Sequence, residues 1–539
     1  MRSPSDCRAT TSALASIAGV AFFVAICYGA FTIATGQDVL TPAERRGKQV
    51  YLQGTSPSGK EILAYIGESS LEMSGSAMAC ANCHGLDGRG KPEGGLDPSN
   101  ITWDVLTKPY GQIHPNGRKH PPYTKRAVEI ALTRGSDPAG NRLSNVMPRY
   151  QMSREDLTDL IAYLERLGRE RDPGVTETQI VVGTIVPNSG PLAEVGQAIR
   201  AVMTAFIAEL NSGGGIYNRR FELKFIETGN TAAGTRVNLE RFIDTDQIFV
   251  ITGAFIAGAE KEIVQLADQR KVPIIGPITL YPQIAFPLNR QVFYLYSGLD
   301  GQASTLIDFV ARKYAPGKPN LDIVYPTSEP NVKVVEAIKE QCKKDGLSIP
   351  GEYPYIGGQF GAAAFANRVK REGSEVIFFL GSGGEALTLM QEAEKIDWFP
   401  AIFMPGGMGG AEAFKAPVGF DRKVFVSIPT SPADQTPEGI EEFRALARKY
   451  KLPEKHLAAQ ISAFSAGKLL VEALKRSGRD VSREKLIQSL EGLYQYSTGL
   501  TPPVTFGPNR RIGAMGAYVV TIDLTQKQFL PVGGWMNTN

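Results

Sequence analysis

Residues 80–90 read CANCHGLDGRG, in which two cysteines are separated by two residues and followed directly by a histidine. Thiols at this spacing add across the two vinyl groups of a haem, and the histidine beside them reaches the iron. The motif therefore predicts one covalently bound haem c, attached through Cys80 and Cys83, with His84 as an axial ligand of the iron.

Two other kinds of site use cysteines at this spacing. A zinc site needs two further Cys or His ligands, which His114 and His120 could supply. A redox-active CxxC pair belongs in a βαβ setting, and the glycine-rich sequence around Cys80 has no such pattern. Haem attachment is favoured over both, and zinc is kept as the alternative.

The best candidate for the second axial ligand is Met147, in the segment NVMPRY. A thioether opposite an imidazole raises the reduction potential of haem iron and favours electron transfer over oxygen chemistry. Ser153 is a good helix N-cap, and the apolar residues that follow at helical spacing predict a helix that packs near Val50. The competing ligands are Met152, His114 and His120.

Residues 42–168 resemble a class I cytochrome c. The resemblance is carried by CxxCHGxDGxG at residues 80–90, by MPRY at residues 147–150 and by a last helix ending in AYLERL. It implies an all-α domain with His84 and Met147 as iron ligands, and an electron carrier rather than an enzyme.

The loop HPNGRKHPPY, residues 114–123, is rich in proline and basic residues. A solvated loop is the simplest interpretation of such a segment. Its basic side chains, together with two that follow it, could instead guide docking of an acidic redox partner protein, such as a periplasmic dehydrogenase or a terminal cytochrome. These side chains are Arg118, Lys119, Lys125 and Arg126.

The N-terminus is predicted to be a targeting segment. Residues 13–34 are almost entirely apolar or small, and a helix needs about 20 such residues to span a bilayer. Arg2 and Arg8 precede this run, so the positive-inside rule keeps the N-terminus cytoplasmic and exports the rest. We expect an anchored protein on the periplasmic side of the cytoplasmic membrane. Cleavage after Gly36, which would leave a periplasmic protein, is the alternative.

The chain has 539 residues, which is too long for a single core. The predicted organisation is a signal anchor or signal peptide at 1–36, a cytochrome c domain at 37–172, a linker at 173–178 and a second domain at 179–539. The net charge is only +3, and no nucleic-acid-binding motif is present, so no nucleic-acid partner is indicated.

Residues 179–539 alternate strand-like and helix-like segments. A buried strand at 180–186 is followed by the loop PNSGP and then by a helix with an apolar face. This alternation predicts parallel sheets covered by helices, and the length predicts two α/β lobes. Further strands are predicted at 221–225, 248–252, 272–275, 323–325, 376–380, 402–404 and 424–428.

The second domain resembles the type I periplasmic binding proteins, above all the branched-chain amino-acid-binding proteins of ABC importers. The stretches VGTIVPNSGPLAEVGQ, FVITGAFIAGAEKEI, KVPIIGPIT and FMPGGMGG carry the resemblance. It implies two lobes that enclose a small ligand, with the cleft beyond the carboxyl ends of the strands. The predicted cleft residues are Ser189, Ala257, Gly258, Ala259, Ile278, Thr279, Tyr296, Ser328, Ser382, Gly383, Gly406 and Gly407.

Two polar groups of the amino-acid binders are missing at the corresponding positions. Those proteins have a serine in the loop that here reads Ala257-Gly258-Ala259, and a glutamate, which pairs with the ligand ammonium, near the position of Gly406. A buried ammonium without a carboxylate partner is costly. We therefore expect a small organic ligand that is not an α-amino acid, such as an organic acid, an alcohol or an aromatic compound.

The second domain carries no P-loop or HExxH motif, and His456 is its only histidine. The sequence therefore predicts an exported electron carrier with a fused small-ligand-binding domain, rather than an enzyme. The alternative is an ABC-importer receptor with an accessory haem domain, which would deliver its ligand to a permease. A haem enzyme would need an open sixth position, which Met147 argues against.

Overall fold

The computed structural model describes residues 40–67, 69–90, 95, 97–169, 171–406 and 411–537. The chain divides into two compact units between Arg171 and Asp172. The predicted membrane anchor at 13–34 and the predicted cleft residue Gly407 lie outside the described residues.

Two capped helices frame the first unit. Helix α1 (Pro42–Gln53) begins after Thr41, which forms a capping box with Glu44. The last helix of the unit begins after Ser153, whose hydroxyl accepts a hydrogen bond from the backbone of Asp156 at 3.1 Å, so the predicted N-cap is confirmed.

These two helices cross at Gly47. A Cβ atom at this position would lie 1.9 Å from the carbonyl oxygen of Asp159, so only glycine allows the backbones to approach so closely. One turn further on, Val50 and Tyr51 are 2% and 0% exposed and share a core with Leu160. The predicted packing of the last helix near Val50 is therefore confirmed.

The first unit also contains strands, which corrects the prediction of an all-α domain. A three-stranded antiparallel sheet has the order β2-β1-β5, and β3 pairs with β4. These strands are two to four residues long and contain few buried residues, so they leave no run of alternating apolar residues in the sequence. The further elements of this unit are β1 (Leu63–Ile66), β2 (Leu71–Ser74), α2 (Cys80–His84), α3 (Trp103–Leu106), β3 (Gln112–Ile113), β4 (Lys119–His120), α4 (Lys125–Arg134), β5 (Arg149–Gln151) and α5 (Arg154–Leu164).

The second unit begins with a six-stranded sheet of order β16-β10-β9-β8-β6-β7, in which every pair is parallel. Buried side chains cover both of its faces, with Val182 in one core cluster and Ile185 in another. We call this sheet with its helices the first lobe. Its elements are β6 (Gln179–Val186), α6 (Ala193–Ser212), β7 (Arg220–Glu227), α7 (Ala232–Asp246), β8 (Val250–Thr252), α8 (Glu260–Arg270), β9 (Ile274–Ile275), β10 (Val292–Tyr296), α13 (Pro437–Tyr450), α14 (Leu457–Ser477), α15 (Arg483–Glu491) and β16 (Ile512–Ala514).

The second lobe is built on a sheet of order β12-β11-β13-β14-β15-β17-β18, with β19 paired to β17. Its strands are parallel as far as β15 and antiparallel beyond it. Phe378 and Phe379 are consecutive and enter different core clusters, so both faces of this sheet are covered. The elements are α9 (Leu299–Tyr314), β11 (Leu321–Pro326), α10 (Glu329–Lys344), β12 (Gly351–Tyr355), α11 (Ala362–Arg371), β13 (Val376–Phe379), α12 (Gly383–Lys395), β14 (Ala401–Pro405), β15 (Val424–Ile428), β17 (Gly516–Asp523), β18 (Gln528–Pro531) and β19 (Met536–Asn537).

The chain crosses between the lobes three times: after β10, after β15 and between β16 and β17. The first and third crossings are hydrogen-bonded to each other, because the backbone N–H of Gly516 donates to the hydroxyl of Ser297 at 3.0 Å. Gly516 has φ +148°, and a Cβ atom there would lie 2.2 Å from the carbonyl oxygen of Met536. These connections give the two-lobed architecture expected from the sequence.

Two further segments of the second unit bear on the sequence analysis. Residues 173–178, expected to be a linker, contact this unit: Val175 is 7% exposed and belongs to its core. Among the described residues, one helix, Leu457–Ser477, is long and apolar enough to cross a membrane. Its Leu469 and Leu470 are fully buried in the first lobe, as in the core helix of a globular domain.

Candidate functional site

Helix α2 carries the CxxCH motif and ends at His84. The Nδ1 atom of His84 lies 2.9 Å from the carbonyl oxygen of Ser99. A carbonyl oxygen only accepts hydrogen bonds, so Nδ1 carries the proton and Nε2 keeps its lone pair. Burial lowers the pKa of His84, against the opposing effect of this hydrogen bond. The ring is therefore a neutral imidazole of fixed tautomer, which is the form that ligates a metal.

The two thiols of the motif are free and half-buried. Burial raises the pKa of Cys80 to about 11, against a hydrogen bond with Tyr150 that lowers it. The thiol is therefore protonated at neutral pH. Among the described residues, no group of three or more His, Cys, Asp or Glu side chains could hold a metal ion. The zinc alternative thus lacks a ligand set in this part of the chain.

His84 and both cysteines line a cavity of about 500 Å³. This volume lies in the range of roughly 300–1,000 Å³ typical of ligand and cofactor pockets. Met147 lines the same cavity, and Met152, the competing thioether, does not appear among the described residues of its wall. The apolar part of the wall includes Ile101, Leu106, Val128, Leu132, Leu160 and Leu164.

The segment that carries Met147 is held by its own neighbours. The guanidinium of Arg149 donates hydrogen bonds to the carbonyl oxygens of Met147 and Leu143, the latter at 3.0 Å. The hydroxyl of Tyr150 donates to the carbonyl oxygen of Met78 at 2.6 Å, which ties the segment to the residues before the CxxCH motif. The segment that carries Met147 and the segment that leads into the CxxCH motif are therefore tied to each other.

These residues fit a haem c. Two thiols, a neutral imidazole and a thioether line one cavity whose remaining wall is largely apolar. Cysteine thiols, histidine and methionine are the groups that attach and ligate haem in cytochromes c.

A group of polar side chains from residues 114–123 lies on the cavity wall. This segment was expected to be a solvated loop, and the structure corrects that prediction. His120 is 6% exposed, and its Nε2 lies 3.0 Å from Nε2 of His114. The side chain of Arg118 donates to His114 at 2.9 Å and to the fully buried carboxylate of Asp137 at 2.7 Å. Arg118 therefore serves an internal ion pair, whereas Lys119, Lys125 and Arg126 are exposed.

In the second unit, the predicted cleft residues follow the carboxyl ends of strands in both lobes. Loop 257–259 follows β8, Ile278 and Thr279 follow β9, and Tyr296 ends β10. Ser328 follows β11, Ser382 and Gly383 follow β13, and Gly406 follows β14. Ser189 follows β6 and is exposed. This is the edge at which ligands bind in open α/β sheets.

Two of the predicted hydroxyls are used for helix capping. Ser328 caps α10 by accepting from the backbone of Asn331 at 3.4 Å. Ser382 caps α12 and forms a capping box with Glu385. Burial raises the pKa of Tyr296.

Sequence reasoning missed Glu260, Tyr281 and Glu385 at this edge. Glu260 accepts hydrogen bonds from the backbone of Gly258 at 2.9 Å and from the hydroxyl of Thr279 at 2.7 Å. Tyr281 donates its hydroxyl to Asn331 at 3.3 Å, which joins the first lobe to α10 of the second. The Ser-x-x-Glu spacing of the Ser382–Glu385 box is visible in the sequence, but no local signal joins Glu260 to Thr279.

The fold and the site together define a two-lobed binding protein joined to a cytochrome c domain. Residues 179–528 match the family described as periplasmic binding protein, and residues 75–168 match cytochrome c. The first match covers more than half of the chain, so the chain belongs to the periplasmic binding protein family and carries a cytochrome c domain ahead of the binding domain. Neither domain is of a catalytic type, and proteins of both families are typically exported.

Among curated proteins, the chain is similar to Leu/Ile/Val-binding protein homolog 3 of Brucella melitensis biotype 1. The identity is 22% over 301 residues, which cover 56% of this chain and 79% of that protein. It is also similar to the Leu/Ile/Val-binding protein BraC3 of Rhizobium johnstonii, at 20% identity over 337 residues, 62% of this chain and 89% of that protein.

Among solved structures, the chain is similar to a branched-chain amino acid ABC transporter from Thermus thermophilus with bound valine. The TM-score is 0.56 at 18% identity, covering 67% of this chain and 97% of the other. A fatty acid ABC transporter substrate-binding protein from Thermomonospora curvata gives a TM-score of 0.55 at 17% identity, covering 68% and 95%. At such identities the likeness shows the fold alone.

Proposed function

We propose that this protein is an exported electron carrier that binds one haem c, and that its second unit links recognition of a small organic metabolite to periplasmic electron transfer. The observation that carries the proposal is the single cavity lined by Cys80, Cys83, His84 and Met147. A haem with histidine and methionine axial ligands exchanges one electron at a raised potential.

Each residue of the cavity has a distinct task in this proposal. Cys80 and Cys83 supply the sulfur atoms of two thioether bonds. His84 offers Nε2 to the iron, because its Nδ1 proton is held by the carbonyl oxygen of Ser99. Met147 offers its thioether from the segment that Arg149 holds. The apolar wall excludes water from the site and thereby favours the reduced, ferrous state of the haem, which carries less positive charge than the oxidised state.

The second unit supplies recognition. In this proposal the predicted cleft residues, which follow β6, β8, β9, β11, β13 and β14 or end β10, contact the ligand. The loop Ala257-Gly258-Ala259 offers no side-chain hydroxyl, and residue 406 is a glycine, so the ligand is a small organic compound other than an α-amino acid. The redox partner is a periplasmic protein such as a dehydrogenase or a terminal cytochrome, and the N-terminal segment attaches the chain to the membrane.

An alternative function is that of an ABC-importer receptor with an accessory haem domain. The observation in its favour is the similarity of residues 179–528 to binding proteins of that class, together with an ABC transporter protein among the similar solved structures. A permease and an ATPase encoded beside this chain would support it. A neighbouring periplasmic dehydrogenase would support the electron carrier.

An equilibrium redox titration of the full-length haem-loaded protein tests the main proposal. The titration is followed by visible absorbance and repeated in the presence of small alcohols, acids and aromatic compounds. We expect one reversible one-electron couple, and a midpoint potential that shifts with the compound that the second unit binds. The absence of a reversible couple would contradict the electron carrier, and a couple that no bound ligand shifts would favour the receptor.

A further inference from the structure

Two hydrogen-bond donors at the ligand edge of the first lobe are already occupied by a carboxylate of the chain itself. Glu260 accepts from the backbone N–H of Gly258 at 2.9 Å and from the hydroxyl of Thr279 at 2.7 Å. Backbone N–H groups near a helix N-terminus are the groups that hold an anionic ligand. Glu260 is the first residue of α8, where the helix dipole stabilises its negative charge.

The second lobe repeats this arrangement. Glu385 accepts from the backbone N–H of Ser382 at 2.9 Å, from its hydroxyl at 2.8 Å and from the hydroxyl of Tyr355 at 3.1 Å. Burial raises the pKa of Glu385, but these hydrogen bonds outweigh it, so the pKa is lowered overall. Ser382 was predicted to contact the ligand. Its backbone N–H and its hydroxyl therefore also donate to a carboxylate of the chain.

A third carboxylate lies on the connection that crosses between the lobes after β15. Asp434 accepts from the backbone of Ser431 at 2.7 Å and from the hydroxyl of Tyr518, in β17, at 2.5 Å. In the described part of the chain, neither Glu260, Glu385 nor Asp434 forms an ion pair with a Lys, Arg or His side chain. The three carboxylates, which we call the cleft carboxylates, are thus balanced only by neutral donors.

Glu260 is held in place from both lobes. The Thr279 hydroxyl that donates to it accepts in turn from the backbone N–H of Tyr281 at 2.9 Å. The hydroxyl of Tyr281 reaches Asn331 of α10, whose amide donates to the carbonyl oxygen of Pro326 at 2.9 Å. A ligand carboxylate would have to break this chain of hydrogen bonds and lie beside a fixed negative charge.

We infer that Glu260 determines ligand specificity by occupying the donors of Gly258 and Thr279, so that the cleft rejects carboxylates and takes a small alcohol or amine. This inference rests on the proposed ligand-binding function of the second unit. The cleft carboxylates offer acceptor oxygens to O–H and N–H groups, which alcohols and amines supply and carboxylates lack.

The test uses the full-length haem-loaded protein and two sets of matched probes. Butanol, butylamine and butyrate share one carbon skeleton, and benzyl alcohol, benzylamine and benzoate share another. Binding is measured by calorimetry for the wild type, Glu260→Gln and Glu262→Gln. Glu262 lies in the same first turn of α8 and accepts neither hydrogen bond, so it controls for the loss of one negative charge.

We expect the wild type to bind an alcohol or amine and not the matched carboxylate. Glu260→Gln should gain affinity for the carboxylate by about tenfold or more, since a like charge is removed, and Glu262→Gln should not. Tighter wild-type binding of butyrate or benzoate than of the matched alcohol and amine would overturn the inference. So would a Glu260→Gln variant that gains no carboxylate binding.

Glu385→Gln provides a second test if Glu260→Gln folds poorly, and we expect it to shift selectivity in the same direction. Absence of binding of all six probes to every variant would also overturn the inference. The visible spectrum of the haem, recorded on the same samples, does not depend on Glu260. Binding of any of the six probes shows that the second unit binds small ligands whatever its selectivity, so a failure of specificity is distinguishable from a failure of the ligand-binding function.

Discussion

The Nδ1 atom of His84 and the carbonyl oxygen of Ser99 lie 2.9 Å apart, across 15 residues of sequence. This hydrogen bond fixes which imidazole nitrogen faces the cavity, so the position of the Ser99 segment is part of the haem site. Gly90 sets that position. A Cβ atom at Gly90 would lie 2.0 Å from the carbonyl oxygen of Pro98, the residue before Ser99.

Replacing Gly90 by alanine should therefore destabilise the first unit, by roughly 1–3 kcal/mol as expected for overpacking. Gly117→Ala is the matched control, because Gly117 also has a positive φ, +82°, but nothing lies within 4 Å of its added Cβ. Thermal unfolding of the haem-loaded variants, followed by haem absorbance, measures the difference. Equal losses in the two variants would show that only backbone conformation matters at Gly90.

The covalent attachment of haem is tested by removing its thiols. Cys80→Ala with Cys83→Ala should leave no haem on the chain after denaturing electrophoresis, because thioether bonds survive denaturation and axial ligation does not. Cys342→Ala, at a fully buried cysteine of the second unit, should retain the haem stain. A stained band from the double variant would show that these thiols are not the attachment points.

The second axial ligand is tested by comparing two methionines. Met147→Ala should lower the midpoint potential of the haem by roughly 0.1 V or more, a fraction of the roughly 0.8 V range that axial ligands span. Met152→Ala should leave it nearly unchanged, since Met152 does not line the cavity. A redox titration of both variants measures the shifts. A larger shift in Met152→Ala would assign the ligand to that residue instead.

The ion pair on the cavity wall gives a pH dependence. Burial raises the pKa of Asp137, but hydrogen bonds from Asn141 and Arg118 outweigh it and hold that pKa below the usual range. The stabilisation is therefore present above the ordinary pKa of an aspartate, about 3.9, and is lost as the pH falls through the lower folded-state value. Asp137→Asn should remove about 1.5–3 kcal/mol at pH 7, as for hydrogen bonds to a charged group.

Thermal unfolding of the wild type and of Asp137→Asn between pH 3 and pH 7 checks this expectation. The difference in melting temperature between the two proteins should shrink on the acid side. Glu155→Gln, at an exposed carboxylate, is the control for a change of net charge. A difference that stays constant with pH would mean that Asp137 acts through packing rather than through its charge.

Several parts of the fold follow directly from sequence patterns. The Ser153 N-cap and the apolar spacing after it predict α5 and its packing near Val50, because a helix is a local structure. The strand at 180–186 lies within β6, and the strand at 424–428 coincides with β15, because both are buried runs of apolar residues. The alternation of such runs with helices predicts the covered parallel sheets, and the length of the domain predicts the two α/β lobes.

What the sequence did not predict depends on distant partners. The small strands of the first unit have few buried residues, such as Ala64, and no clear alternation. The burial of His120 arises because Arg118 pairs with Asp137, 19 residues away, which turns an apparently solvated loop inward. In the second lobe, the Ser-x-x-Glu spacing indicates that Glu385 takes part in the cap of α12. The hydrogen bond between Glu260 and Thr279 joins residues that are distant in sequence, so no local pattern predicts it.

The most direct test of the account is the visible spectrum of the full-length protein, expressed with haem maturation and recorded in the oxidised and reduced states. We predict a low-spin ferric spectrum with a thioether-to-iron charge-transfer band that is lost in Met147→Ala and retained in Met152→Ala. A high-spin ferric spectrum in the wild type, or a chain that takes up no haem, would contradict the assignment of an electron-transfer site.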